Sequence, residues 1–117
     1  MFLKIMKSKI HRATVTDARL HYPGSLGIDA DLMKKAGIVP YEAVTVANLA
    51  NGSRLETYVI EAEAGSGRIE ILGAAAQLVK TGDLVIIFSF GFYTPEEARM
   101  HKPKVLVLDE NNKVKNA

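Results

Sequence analysis

At 117 residues the chain has the length of one domain built on one core. Apolar residues at 48% and charged residues at 24% exclude a disordered chain, and the 15 basic and 13 acidic residues form no cationic stripe of the nucleic-acid-binding kind (net charge +2). Cysteine is absent, which excludes disulfides, thiol nucleophiles and thiolate metal sites.

In chain order, short β-branched runs broken by turn residues predict a mainly β protein, a small barrel or sandwich. The expected strands are Phe2–Lys7, Ile10–Leu20, Ala43–Ala50, Arg54–Ala64, Arg68–Leu72, Leu84–Phe92 and Lys104–Asp109. Asp29 caps a helix over Ala30–Ala36, which Gly37 stops. Asn51-Gly52 signals a tight hairpin, with positive φ at both central positions. Gly73–Val79 has the composition of one or two helical turns. Thr94-Pro95-Glu96-Glu97 is a capping box with proline at the first helical position, so Thr94–His101 is expected to be helical. The tail Asn111–Ala117 is polar and expected to fray.

No repeat or linker divides the chain, so one domain over 1–117 is expected. Met1-Phe2-Leu3-Lys4-Ile5 is not of signal-peptide type, and no run approaches the roughly 20 apolar residues of a membrane span. The longest run, Leu84–Phe88, reads as an interior strand. A cytoplasmic protein without membrane or nucleic-acid partners is the expectation. His11, His21 and His101 lack close ligand spacing, so no metal site is expected. A serine hydrolase lacks its nucleophile-elbow pattern.

Three Gly-Ser pairs occur, at 24–25, 52–53 and 65–66, and the latter two read as ordinary turns. The first lies in His21-Tyr22-Pro23-Gly24-Ser25 and is set apart by its surroundings. Lys9-Ile10-His11-Arg12-Ala13-Thr14-Val15-Thr16 followed by Tyr22-x-Gly24-Ser25 resembles the start of the pyruvoyl-dependent aspartate decarboxylases. The resemblance continues through Ile28-Asp29, Ala36-Gly37-Ile38, Asn51-Gly52, Arg54-Leu55-Glu56-Thr57-Tyr58 and Gly65-Ser66-Gly67. Gly73-Ala74-Ala75-Ala76, Gly82-Asp83, Glu97-Ala98 and Pro103-Lys104-Val105 complete it, in order and without gaps over nearly the whole chain.

That resemblance implies a small double-psi β-barrel with short helices, and self-cleavage between Gly24 and Ser25 into fragments 1–24 and 25–117. The serine hydroxyl would attack the glycine carbonyl, convert the peptide to an ester and, after elimination and hydrolysis, leave a pyruvoyl cofactor formed from Ser25. Glycine before the serine suits such a step, having no Cβ to obstruct attack. The pyruvoyl carbonyl would form a Schiff base with L-aspartate, and loss of the α-carboxylate would give β-alanine for pantothenate and coenzyme A synthesis. Tyr58 is implied as the proton donor, and Thr57 as an aid to processing and a substrate contact. Lys9 and Arg54 are implied carboxylate binders, with Gly73, Ala74 and Ala75 offering backbone N–H groups and His11 and Tyr22 in support. A homotetramer with sites near subunit boundaries is implied too, and an assisting maturation protein is left open.

On a regular strand Arg54 and Tyr58 share one face and Thr57 points the other way. Either a local bulge or a site shared between subunits reconciles this with one active site. Three positions depart from the family pattern. Leu72 stands where most relatives carry asparagine, Ala47 where some carry a bulky aromatic, and Pro23 fixes φ just before the scissile pair. The rival reading, a small β-barrel binding or assembly module that stays uncut, draws its support from Leu72.

Overall fold

The computed structural model describes residues 1–116. Eight strands are found: β1 (Leu3–Thr14), β2 (Asp17–Arg19), β3 (Ser25–Asp29), β4 (Ala43–Asn48), β5 (Arg54–Ala62), β6 (Ile69–Leu72), β7 (Leu84–Tyr93) and β8 (Lys104–Val107). Helices α1 (Ala30–Ala36) and α2 (Pro95–Met100) and a 3₁₀ turn over Gly73–Gln77 complete the chain. The protein is mainly β with two short helices, as its composition of strand formers predicts. Strand order is β2-β6-β3-β5-β4-β7-β1-β8, with parallel pairs at β1/β8, β2/β6 and β3/β5.

Period-two alternation builds the core. Val44 and Val46 of β4, Val59 of β5 and Val85 and Ile87 of β7 turn inward and are buried, joining Ile10, Leu26, Ile28, Ile69 and Ile71 in one cluster. α1 adds Leu32, Met33 and Ala36 to it, whereas α2 buries no residue and lies on the surface. Both helices carry the expected caps: Asp29 accepts from the Asp31 N–H at 2.8 Å, and Thr94 with Glu97 forms the reciprocal capping box.

Several boundaries differ from the sequence reading. Phe2–Lys7 and Ile10–Leu20 are not two strands: β1 runs unbroken through Ser8 and Lys9, with register shifts near Lys7 and at His11-Arg12, and the true break follows Thr14. Bulges absorb the extra residues, and Arg12 adopts a positive φ of 64° there. β3 was not foreseen, because it is buried at all five residues and so shows no alternation. The Asn51-Gly52 turn is wider than a two-residue hairpin; only Gly52 has a positive φ (72°), and its N–H donates to the Asn48 carbonyl at 2.8 Å. The tail is stitched down rather than frayed. Asn112 is buried, Val114 bridges Leu108, and the Asn116 side chain bonds to the backbone of Val105 and Val107; Ala117 lies outside the described residues.

Candidate active site

Ser25 opens β3 at 3% exposure, with its backbone paired to Leu72 of β6. On its other side β3 runs parallel to β5 with Leu26 opposite Val59. One step back in that register sets Ser25 alongside Tyr58 and Gly24 alongside Thr57. The Gly24–Ser25 peptide therefore lies where the chain enters the sheet, beside the stretch of β5 whose other edge pairs with β4. Gly73 presses on this segment from the 3₁₀ turn. Its φ is +85°, and a Cβ at that position would fall 2.7 Å from Gly24 Cα and 2.9 Å from the Tyr22 carbonyl oxygen. Only glycine fits such an approach.

An open crevice of about 290 Å³ borders the peptide, lined by Gly24, Leu55, Glu56, Thr57, Leu72, Ala74, Ala75 and Leu78. Thus the structure brings Gly24, Thr57, Ala74 and Ala75 together, with Gly73 behind them. Leu72 gives this wall an apolar side chain.

The alternation of β5 settles the Thr57–Tyr58 question. Register with β4 is continuous from Ala43↔Tyr58 to Ala47↔Arg54, so no bulge occurs. Leu55, Thr57 and Val59 turn inward and Arg54, Glu56 and Tyr58 turn outward. By parity Ser25 shares the outward face with Tyr58, whereas Gly24 shares the crevice side with Thr57. The Gly24–Ser25 peptide passes between the two.

Lys9 and Arg54 belong to the outward face as well. Lys9 pairs with Phe88, Phe88 with Thr45 and Thr45 with Glu56, giving one cross-strand row. Arg54, Ala47 and Ile86 form the next. Lys9 sits on β1, four strands from β3 in the strand order. Tyr58 is 40% exposed, with its ring 6.4 Å from that of Tyr41. Tyr22 is exposed just before Gly24-Ser25.

His11 sits at the β1 bulge with a buried Nδ1 that has no hydrogen-bond partner among the described residues. Burial, then the neighbouring charges of Lys9 and Arg12, hold its pKa below the ordinary imidazole value. Sequence reasoning missed two features here. Phe88 was hidden inside an apolar run, although it faces outward on β7. Glu42 was unremarked, yet it accepts from Lys7 at 3.0 Å, from the Ser89 hydroxyl and from the Val39 N–H at 3.1 Å. Burial would raise the Glu42 pKa, but those three donors outweigh it and the carboxyl titrates below its usual range.

Comparison with known proteins defines the class: this is a carboxy-lyase with a small β fold. A sequence profile described as aspartate decarboxylase matches residues 1–115, and the chain belongs to that family. An aspartate 1-decarboxylase of Acetivibrio thermocellus is 56% identical over 116 residues, 99% of this chain and 92% of the relative. Those of Thermoanaerobacter pseudethanolicus (56% over 112 residues, 96% of each chain) and Caldicellulosiruptor saccharolyticus (54% over 114 residues, 97% and 89%) are similar.

Proposed function

We propose that this chain cuts itself between Gly24 and Ser25, carries the resulting pyruvoyl group at residue 25, and decarboxylates L-aspartate to β-alanine and CO2. The reading places the protein in the cytoplasm, supplying β-alanine for pantothenate and coenzyme A synthesis. The observation that carries it is the setting of the Gly24–Ser25 peptide, clamped by Gly73 at the entry to β3 and bordered by a crevice to which Thr57, Ala74 and Ala75 contribute.

In the processing step the Ser25 Oγ attacks the Gly24 carbonyl carbon, and the amide nitrogen leaves as an amine, giving an ester. Loss of the Ser25 Cα proton expels the Gly24 carboxylate, and water then replaces the nitrogen, which departs as ammonia. Thr57 is suited to donate a hydrogen bond to the Gly24 carbonyl as charge builds on its oxygen. The neighbourhood fits a small ketone: Gly73, Ala74 and Ala75 leave backbone N–H groups unobstructed, and the Leu72 side chain adds no competing polar atom. A ketone in amide linkage at residue 25 supplies the electron sink that α-decarboxylation requires.

This chain's own residues do the rest. Tyr58, on the face shared with Ser25, delivers a proton to the carbon that has lost CO2. Arg54 presents a planar fork to the retained carboxylate, and Lys9 adds a point charge. Because Lys9 lies four strands along the sheet from β3, the reading assigns the cations to a neighbouring chain, in a homotetramer whose sites span subunit boundaries.

Intact-mass measurement tests the proposal. Matured protein should give fragments 1–24 and 25–117, the second beginning with a carbonyl that hydrazine reagents trap. Ser25→Ala should stay whole and lose decarboxylation. Uncut, unreactive parent protein after prolonged warming would leave the binding-module reading in its place.

A further inference from the structure

The outward face of β4, β5 and β7 holds one contact that none of the assignments above uses. The Arg54 guanidinium carbon lies 5.5 Å from the centroid of the Phe88 ring. Arg54 is directly opposite Ala47, and Phe88 is opposite Thr45, so the two are diagonal neighbours across β4. A large side chain at 47 would stand between them. The methyl group of Ala47 does not, and the arginine leans across it to the ring. Phe88 is itself held, stacked on Phe90 with centroids 6.3 Å apart and planes at 24°. On its far side Phe88 pairs with Lys9, so the ring lies between the two cations assigned to substrate.

We infer that Phe88 is a positioning residue whose ring face fixes the Arg54 guanidinium for a carboxylate ligand, forming from β7 the wall that Ala47 leaves open on β4. Two properties of the pair support this. An arginine free to sample its rotamers loses entropy on binding a carboxylate, and one already resting on a ring loses less. The ring face also attracts the cation without occupying its N–H donors, which stay directed at the ligand. The inference deepens the proposed function, because it rests on Arg54 being the carboxylate binder.

The retained carboxylate is held alike before and during the chemical step, so its loss appears in KM and leaves kcat nearly unchanged. Phe88→Leu keeps an apolar side chain but removes the ring, and KM for aspartate should rise roughly two- to fivefold, the range open to an exposed cation–π contact. Phe88→Tyr should restore the parent value. In an Arg54→Met background, Phe88→Leu should change nothing further, whereas a merely structural phenylalanine would cost the same in both backgrounds. Calorimetry with succinate, a dicarboxylate without an amine, provides a readout apart from turnover. Its Kd should weaken by the same factor in Phe88→Leu and recover in Phe88→Tyr. An unchanged succinate Kd and KM in Phe88→Leu overturns the inference, as does an equal loss in the Arg54→Met background. Parent protein that stays uncut and inert, yet binds succinate with this Phe88 dependence, overturns the proposed reaction and upholds the positioning role.

Discussion

Gly73 shows how much one hydrogen atom in place of a methyl group can decide. With φ at +85° and Gly24 Cα 2.7 Å from where a Cβ would sit, Gly73→Ala must strain its own backbone and push the scissile segment aside. A left-handed non-glycine residue costs about 1–3 kcal/mol, so self-cleavage should slow roughly five- to hundredfold, measured as loss of full-length chain over time. Thr57→Val keeps the shape and removes the hydroxyl; cleavage should slow by about tenfold while folding is retained. At this scale the sequence was readable where backbone need singles out a residue, as at the left-handed helix stop Gly37, whereas Gly24 and Gly73 were named through family likeness. Phe88 escaped notice because the run Leu84–Phe88 contains no polar residue, so its inward and outward positions look alike.

Among the elements, α1 depends on a single side chain. The Asp29 carboxylate accepts from Asp31 N–H at 2.8 Å, Gly65 N–H at 3.0 Å and Gly67 N–H at 2.9 Å, tying the helix to the β5–β6 loop. Burial opposes its charge, but the donors from Gly67, Gly65 and Asp31 prevail and its pKa is lowered. A depressed carboxylate stabilises the fold in full above its unfolded pKa, near 4, and loses that contribution as pH falls through the lower folded value. Urea midpoints should therefore drop below about pH 4 in the parent and less steeply in Asp29→Asn. At pH 7 that variant should lose about 1–3 kcal/mol, because an amide cannot serve all three donors. The cap and its helix were legible because their signals, Asp29 and Gly37, directly flank the seven helical residues. β3 was not, since only its partners β5 and β6, far along the chain, make a fully buried strand of Ser25–Asp29.

For the molecule as a whole, the outward face of the sheet exposes aromatic rings, the ground for the proposed tetramer. Phe90 and Tyr58 are partly bare and Phe92 is 71% exposed. Sedimentation should report a tetramer for the parent, and Phe90→Glu should shift it toward monomers and depress decarboxylation. At low aspartate, co-expressed Ser25→Ala and Arg54→Met chains should turn over faster than either alone, because one supplies the cation and the other the reactive residue. Same-chain sites would show no such gain. Assembly was suggested by family likeness, whereas the outward face proposed for it emerges only when β5, β4, β7 and β1 are laid side by side.

The position of β1 has a consequence for the life of the mature protein. It is threaded between β7 and β8, yet it lies entirely on the 1–24 side of the proposed cut. A nicked molecule stays together only through hydrogen bonds and packing, so once melted its recovery becomes a search by two separate peptides for each other. Thermal unfolding followed by circular dichroism should be reversible for Ser25→Ala, and for the cut form should be reversible only with excess short fragment supplied.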